Sequence, residues 1–160
     1  MNLVEVVNAA RTTVDEELVA GLVAAVLEAE GVHGAEVAVA FVGERRIRDL
    51  NREHRGKDEV TDVLSFPLED WQGDGEAPPD AGDAGPPLML GDIVVCTRRA
   101  LRQARADALP PAFEIAVLLA HGTLHLLGYD HETDAGQMAL RQAEVLELID
   151  WEGLVVAPSR

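Results

Sequence analysis

The sequence predicts an α+β or three-layer α/β domain, and three observations lead there. At 160 residues the chain fits one domain, since about 100–200 residues per domain is usual. Four short strand candidates alternate with helical segments, an order that layers helices on a sheet. One segment, Phe113 to Leu127, is apolar nearly all round, as a helix buried at the centre of a domain should be. Hydrophobic residues make up 48% of the chain and aromatics only 4%, so the core must be built from Leu, Val, Ala and Ile.

Asn2 to Val7 alternates and is β-branched enough for a first strand. Thr13-Val14-Asp15-Glu16 reads as a capping box, with Thr13 as N-cap and Glu16 three residues on. A helix then runs through Leu18, Leu22, Val23 and Leu27 to about Gly31. Ala35 to Val42 is the second strand. Glu44 to His54 is helical, with Ile47, Leu50 and His54 on one face and Arg45, Arg48, Arg52 and Arg55 along another. Val63 to Phe66 is a third strand, stopped by Pro67. Residues 69–87, rich in Gly, Pro and Asp, read as a solvated, flexible acidic loop inside one domain spanning 1–160. Gly91 to Cys96 is a fourth strand, and Arg98 to Ala108 a short helix. Pro110-Pro111 opens the apolar helix, because proline fits the first turn, and Gly128 ends it. Thr133 to Trp151 is a last helix, with Met138, Leu140, Val145 and Leu148 expected on its inner face.

Charge narrows the possible partners. A net charge of −16 argues against non-specific coating of nucleic acid, which needs cations. Ten of the thirteen basic residues nevertheless fall in two short segments, 45–57 and 98–105, while 69–87 holds six acids and no base. An acidic body with local basic stripes can still bind an anion at one place. The longest apolar run, Ile115 to Ala120, is far short of the ~20 residues of a membrane helix. The first residues lack the basic and apolar regions of a signal peptide, and a lone Cys96 fits a reducing compartment. A cytoplasmic protein without a membrane partner is expected.

The chemistry concentrates in His121-Gly122-Thr123-Leu124-His125-Leu126-Leu127-Gly128-Tyr129-Asp130-His131. Histidines at i and i+4 share a helix face, with Cβ atoms about 5–6 Å apart. Gly128 can turn the chain back and return His131 to the same point. Three neutral imidazoles around a divalent ion leave a fourth position for water, the pattern of catalytic rather than structural sites. Buried without a partner, the rings would be costly. Imidazole and an open tetrahedral site favour Zn2+, one per chain, though other divalent transition metals accept nitrogen. The spacing matches the zinc-protease pattern His-Glu-x-x-His-x-x-Gly-x-x-His. Gly122 stands where that pattern needs its glutamate base, which counts against a peptidase. His33 and His54 read as a turn residue and a helix-face residue.

The segment from His121 to His131 resembles the signature of the YbeY-type endoribonucleases, also called ribosomal RNA maturation factors. Leu50 to Asp58 followed by Thr61 to Pro67 is similar to that family's arginine loop and strand, and Leu90 to Val94 to a third block. The stretch from Trp71 to Pro87 is longer and more acidic than the family's usual connection. The resemblance implies a small α/β domain with a four-stranded mixed sheet, about five helices and a metal in a cleft. It implies single-strand-specific cleavage of RNA in maturation of the small-subunit ribosomal RNA 3′ end and in ribosome quality control. Partners would then be that RNA, the small ribosomal subunit and its assembly proteins; oligomeric state is not addressed. It carries the metal ligands onto His121, His125 and His131, and the family's functional arginine onto Arg55.

The expected reaction is phosphodiester hydrolysis. A metal on three histidines lowers the pKa of its water towards ~7, which reduces the need for a carboxylate base. His121 and Arg55 are the catalytic candidates, Arg55 because a guanidinium contacts two phosphate oxygens at once. On spacing alone, Arg55 reads equally as a solvated helix-end residue stabilised by the helix dipole. Lys57 is a contact to RNA or a surface charge. Ser65 is a hydroxyl offered to phosphate or a packed strand serine. Asp130 orients an imidazole or caps the turn. Two rival classes remain: a metallohydrolase on peptides or other esters, and a non-catalytic ribosome-assembly factor stabilised by a structural metal.

Overall fold

Alternation along each strand decides which residues face which layer of this molecule. The computed structural model describes residues 2–68, 88–130 and 135–157. The acidic stretch 69–87 and the expected ligand His131 lie outside the described residues. The elements are β1 (Leu3–Asn8), β2 (Thr13–Val14), α1 (Glu16–Ala29), β3 (Ala35–Val42), α2 (Glu44–Arg55), β4 (Val63–Pro67), β5 (Leu88–Cys96), α3 (Thr97–Ala106), α4 (Pro111–Leu126), α5 (Gln137–Leu148) and β6 (Val155–Ala157).

Four strands form a mixed sheet in the order β1-β3-β5-β4. The first three are parallel, and β4 runs antiparallel to β5 at the edge. Val37, Val39 and Phe41 of β3 and Leu90, Ile93 and Val95 of β5 face one side, where α1 and α4 cover them. The alternate residues Val42, Val94 and Cys96 face the other side and pack with Leu64 and with Ile47 of α2. The sheet therefore separates two cores, a large one under α1 and α4 and a small one under α2. The expected four-stranded α/β architecture with five helices is what forms.

β5 begins at Leu88, earlier than the alternation of its sequence suggests, because a bulge between Glu36 and Val37 shifts the register from Met89 to Gly91. Gly91 has φ +140°, and a Cβ there would stand 2.2 Å from the Phe66 carbonyl oxygen. Only glycine allows β4 to approach that closely.

Three expectations are corrected. The first concerns Thr13, which is not the N-cap of α1. It pairs instead with Ala157 in a small antiparallel sheet of β2 and β6. The cap is Asp15, whose carboxylate accepts from the Leu18 backbone N–H at 3.1 Å. β6 lies too far along the chain for a local reading to find, and with β2 it adds a two-stranded sheet to the expected four strands among the described residues. Second, Pro67 belongs to β4, tolerated because the strand is at the sheet edge. Third, α5 begins at Gln137, and its inner face is not the leucine stripe. Met138 and Val145 are buried, but Leu140 and Leu148 are 65% and 70% exposed. The turns between Met138 and Val145 instead direct Arg141 and Gln142 inward, where each finds a polar partner.

Candidate metal centre

Helix α4 is buried along most of its length against the sheet, α1, α3 and α5. At its C-terminal end His121 and His125 emerge on one face, one turn apart, half-buried and lining a broad cleft of about 1390 Å³. Their rings meet edge to face with centroids 4.6 Å apart. The two Nε2 atoms are 3.1 Å apart. Two nitrogens on one tetrahedral zinc, at bonds of about 2.0–2.1 Å, would stand about 3.3 Å apart.

The other ring nitrogens explain why the Nε2 atoms converge. His125 Nδ1 lies 2.9 Å from the carbonyl oxygen of Tyr129, which can only accept, so Nδ1 carries the proton. His121 Nδ1 lies 2.9 Å from Gln142 Oε1 and donates to it likewise. In that tautomer each ring turns its Nε2 towards the other. A metal-ligating histidine characteristically gives its second N–H to a carbonyl or carboxylate, and both rings do so here. The pair fits a divalent transition metal. Among the described residues no group of three His, Cys, Asp or Glu side chains is placed to hold an ion; the third expected ligand, His131, is not one of them.

Tyr129 and Gln142 are in turn held by the fold. Gly128, at φ +96°, lets the chain leave α4 and double back. The Tyr129 hydroxyl donates to Glu30 at 2.8 Å, at the end of α1. Burial, with Glu30 adding to it, pushes that phenol up to about 12. Arg141 also binds Glu30, and gives a second N–H to the Ala29 carbonyl at 2.8 Å. One junction of α1, α5 and the turn after α4 thus fixes both imidazoles. Nothing in the local pattern around the histidines marks Glu30, Arg141 or Gln142, of which Arg141 and Gln142 lie 16 and 17 residues after His125 and Glu30 lies 91 residues before His121.

Gly122 has a steric reason. A Cβ there would come 2.8 Å from Ile93 Cγ2 and 3.2 Å from Ser65 Oγ. Position 122 faces the sheet, so a side chain there would press into the core and not reach the imidazoles. The absence of a glutamate is therefore built into the packing.

The other expected site residues fall as follows. Ser65 lines the cleft, but its hydroxyl donates to the Gly122 carbonyl at 3.1 Å, fastening β4 to α4. Arg55 ends α2 beside Gly56, whose φ of +71° closes the helix, and it lines the cleft. Asp130 lines the cleft near His125. Lys57 is exposed and is not part of the cleft wall.

The arginine stripe is divided rather than continuous. Arg48 pairs with Asp58 at 2.9 Å, and Arg52 with Asp49 at 3.1 Å and Asp58 at 3.4 Å. Arg46 and Arg55, which line the cleft, have no ion pair among the described residues. Beside Asp62 of the cleft wall, Gln103 donates to both Asp62 and Glu114, at 3.2 and 3.1 Å. Burial raises the Glu114 carboxyl above its ordinary value, against the lowering by Gln103 and with the help of Asp62 and Asp107.

Comparison with known proteins identifies the family. The model of the family described as Endoribonuclease YbeY matches residues 5–150. The endoribonuclease YbeY of an Anaeromyxobacter species is 48% identical over 139 residues, 86% of this chain and 65% of that protein. The Anaeromyxobacter dehalogenans protein of the same name is 47% identical over 137 residues, again 86% of this chain, and 64% of its own length is covered. The chain thus spans just under two thirds of these relatives. The Macrococcus caseolyticus endoribonuclease YbeY is 46% identical over 74% of this chain and 75% of its own. The solution structure of TM1509 from Thermotoga maritima superposes with a TM-score of 0.60 at 27% identity, over 91% of this chain and 87% of that one. On the family match across most of its length and these identities, the chain belongs to the YbeY endoribonuclease family.

Proposed function

We propose that this protein is a metal-dependent endoribonuclease that cleaves single-stranded RNA, with Zn2+ held by His121, His125 and His131. The observation that carries it is the pair of Nε2 atoms 3.1 Å apart, each on a ring whose Nδ1 is committed to a carbonyl oxygen. When bound, such an ion supplies Lewis acidity at a phosphoryl oxygen and lowers the pKa of a water at the same place. The chain's own residues do the rest. The Tyr129 carbonyl and Gln142 keep the protons at Nδ1, so that both Nε2 lone pairs stay available. Arg55, without an ion pair among the described residues, binds the scissile phosphate through two N–H groups and offsets the charge that grows there. Gly122 removes the carboxylate base a peptidase would use, which favours a phosphodiester over a peptide substrate.

The substrate assigned is the 3′ end of small-subunit ribosomal RNA, with the small ribosomal subunit and its assembly proteins as partners in the cytoplasm. Kinship with proteins named endoribonuclease YbeY supports the RNA; Arg46 and Arg55, in no ion pair among the described residues although Glu5, Asp62, Asp92 and Asp130 line the same cleft, can contact its phosphates. No helix among the described residues is long and apolar enough to cross a membrane.

The test is His125→Ala with metal analysis and RNA cleavage measured together. Bound metal and cleavage should fall in parallel while the fold is retained, and casein should not be cut by either protein. Metal content unchanged at one ion per chain would remove His125 from the ligand set. Normal ribosomal RNA ends in a strain depleted of the protein would point to another RNA.

A further inference from the structure

On the α2 side of β4 the cleft carries two rings that the mechanism above does not use. Arg46, Leu50 and His54, at i, i+4 and i+8, share one face of α2 and line the cleft together. The His54 imidazole lies over Phe66 with centroids 4.9 Å apart and planes tilted by 58°. Phe66 is half-buried against the small core and so is fixed by packing, whereas His54 is exposed. Ala38 and Ala40 of β3, on the other side of β5 from β4, also line the cleft. The cations nearest this aromatic pair along α2 that line the cleft are Arg46 and Arg55, neither in an ion pair among the described residues.

We infer that His54 and Phe66 form a nucleobase-stacking subsite, which takes one unpaired base of a single-stranded RNA while Arg55 and Arg46 take the flanking phosphates. The inference rests on the endoribonuclease reading and adds to it where the substrate is held. An aromatic platform beside guanidinium groups that are in no ion pair among the described residues is the pattern by which single strands are gripped, bases on rings and backbone on cations. Every base has a flat face, so such a subsite selects an unstacked strand without selecting a sequence. A duplex, whose bases are stacked on one another, cannot supply the ring. Ser65 and Phe66 are consecutive on β4 and point to opposite faces, one fastened to the helix of the histidines and the other under His54. An RNA strand held on the rings reaches the histidines by passing over this edge strand.

The experiment compares the zinc-loaded protein with His54→Ala, His54→Phe and Arg55→Ala. Each is titrated with single-stranded oligouridylate and with an abasic oligoribonucleotide of equal length, at one salt concentration. His54→Ala should weaken oligouridylate binding by about tenfold, the order of one lost base–aromatic stack, and leave the abasic strand unchanged. His54→Phe, which keeps a ring and discards its nitrogens, should restore binding. Arg55→Ala should weaken both strands alike. Equal loss on both strands for His54→Ala, no loss on either, or failure of His54→Phe to restore binding would overturn the stacking subsite while leaving the nuclease intact. A wild-type protein that neither binds nor cuts RNA would overturn the endoribonuclease reading itself.

Discussion

Helices α2 and α4 both pack near the edge strand β4, yet they treat their polar groups in opposite ways. On α4 every ring nitrogen of His121 and His125 has an assigned neighbour, and those neighbours are tied to α1 and α5. On α2 the side chains facing the cleft, Arg46, His54 and Arg55, are exposed, and the two arginines make no ion pair among the described residues. Of the α2 arginines that do not line it, Arg48 and Arg52 are in ion pairs and Arg45 is in none among the described residues. A metal centre needs its ligands fixed before the ion arrives. A polyanion needs cations whose counter-charges the protein itself does not supply. The two helices match the two halves of the proposed function, with ligands held in advance on α4 and exposed cations on α2.

Substitutions on the two helices should therefore fail in different ways. The largest effect is expected at Gly122→Glu, where even the first side-chain carbon meets Ile93 and Ser65. It should destabilise by at least the about 1–3 kcal/mol of core overpacking and confer no peptidase activity. A melting curve like the wild type's would show that α4 is not clamped to the sheet. Next is Gln142→Leu, which removes the acceptor from His121 Nδ1 on a helix that stays folded. Metal affinity, measured by chelator competition, should drop by about 10–100-fold; unchanged affinity would mean that Gln142 does not set the ring. On α2, Arg55→Ala should leave metal content and melting alone, weaken RNA binding several-fold and reduce the salt slope by about 1. Arg48→Ala, which breaks an exposed pair, should do neither, and equal effects at the two positions would erase the division of the stripe. The smallest effect concerns Glu114. Its carboxyl is raised in the fold, so the native state holds a proton more readily than the unfolded chain does. That contribution is present at low pH and is lost as pH rises from the ordinary carboxylate range through the raised value. Glu114→Gln should accordingly raise the melting temperature slightly at pH 7, with the gap closing below about pH 4. A gap that widens on acidification would reverse the assignment.

How much of this was legible in the sequence follows the range of the interactions. The i, i+4 histidines and the apolar circumference of α4 are properties of a dozen adjacent residues, and they located the centre and its helix. Thr13 shows the limit. Its capping-box pattern is sound locally, but β6, more than 140 residues on, draws it into a strand and passes the cap to Asp15. Leu140 and Leu148 mislead for a related reason: the phase of α5 is decided by Arg141 reaching Glu30 and Gln142 reaching His121. Gly122 was legible as a missing base, while the reason for it, the nearness of Ile93, is visible only in three dimensions. His54 read as an ordinary helix-face residue because Phe66, its partner, is on another element.

Tyr129 has a consequence that outlasts the description of the centre. Its phenol anchors the junction of α1 and α5, while its backbone oxygen holds the proton of His125. Loosening that junction by heat or mild denaturant would free the imidazole to rotate. With the proposed ion bound, the speed with which a chelator strips the protein would then gauge helix docking at the opposite end of the tyrosine, a local opening sensed through lost coordination rather than through lost secondary structure.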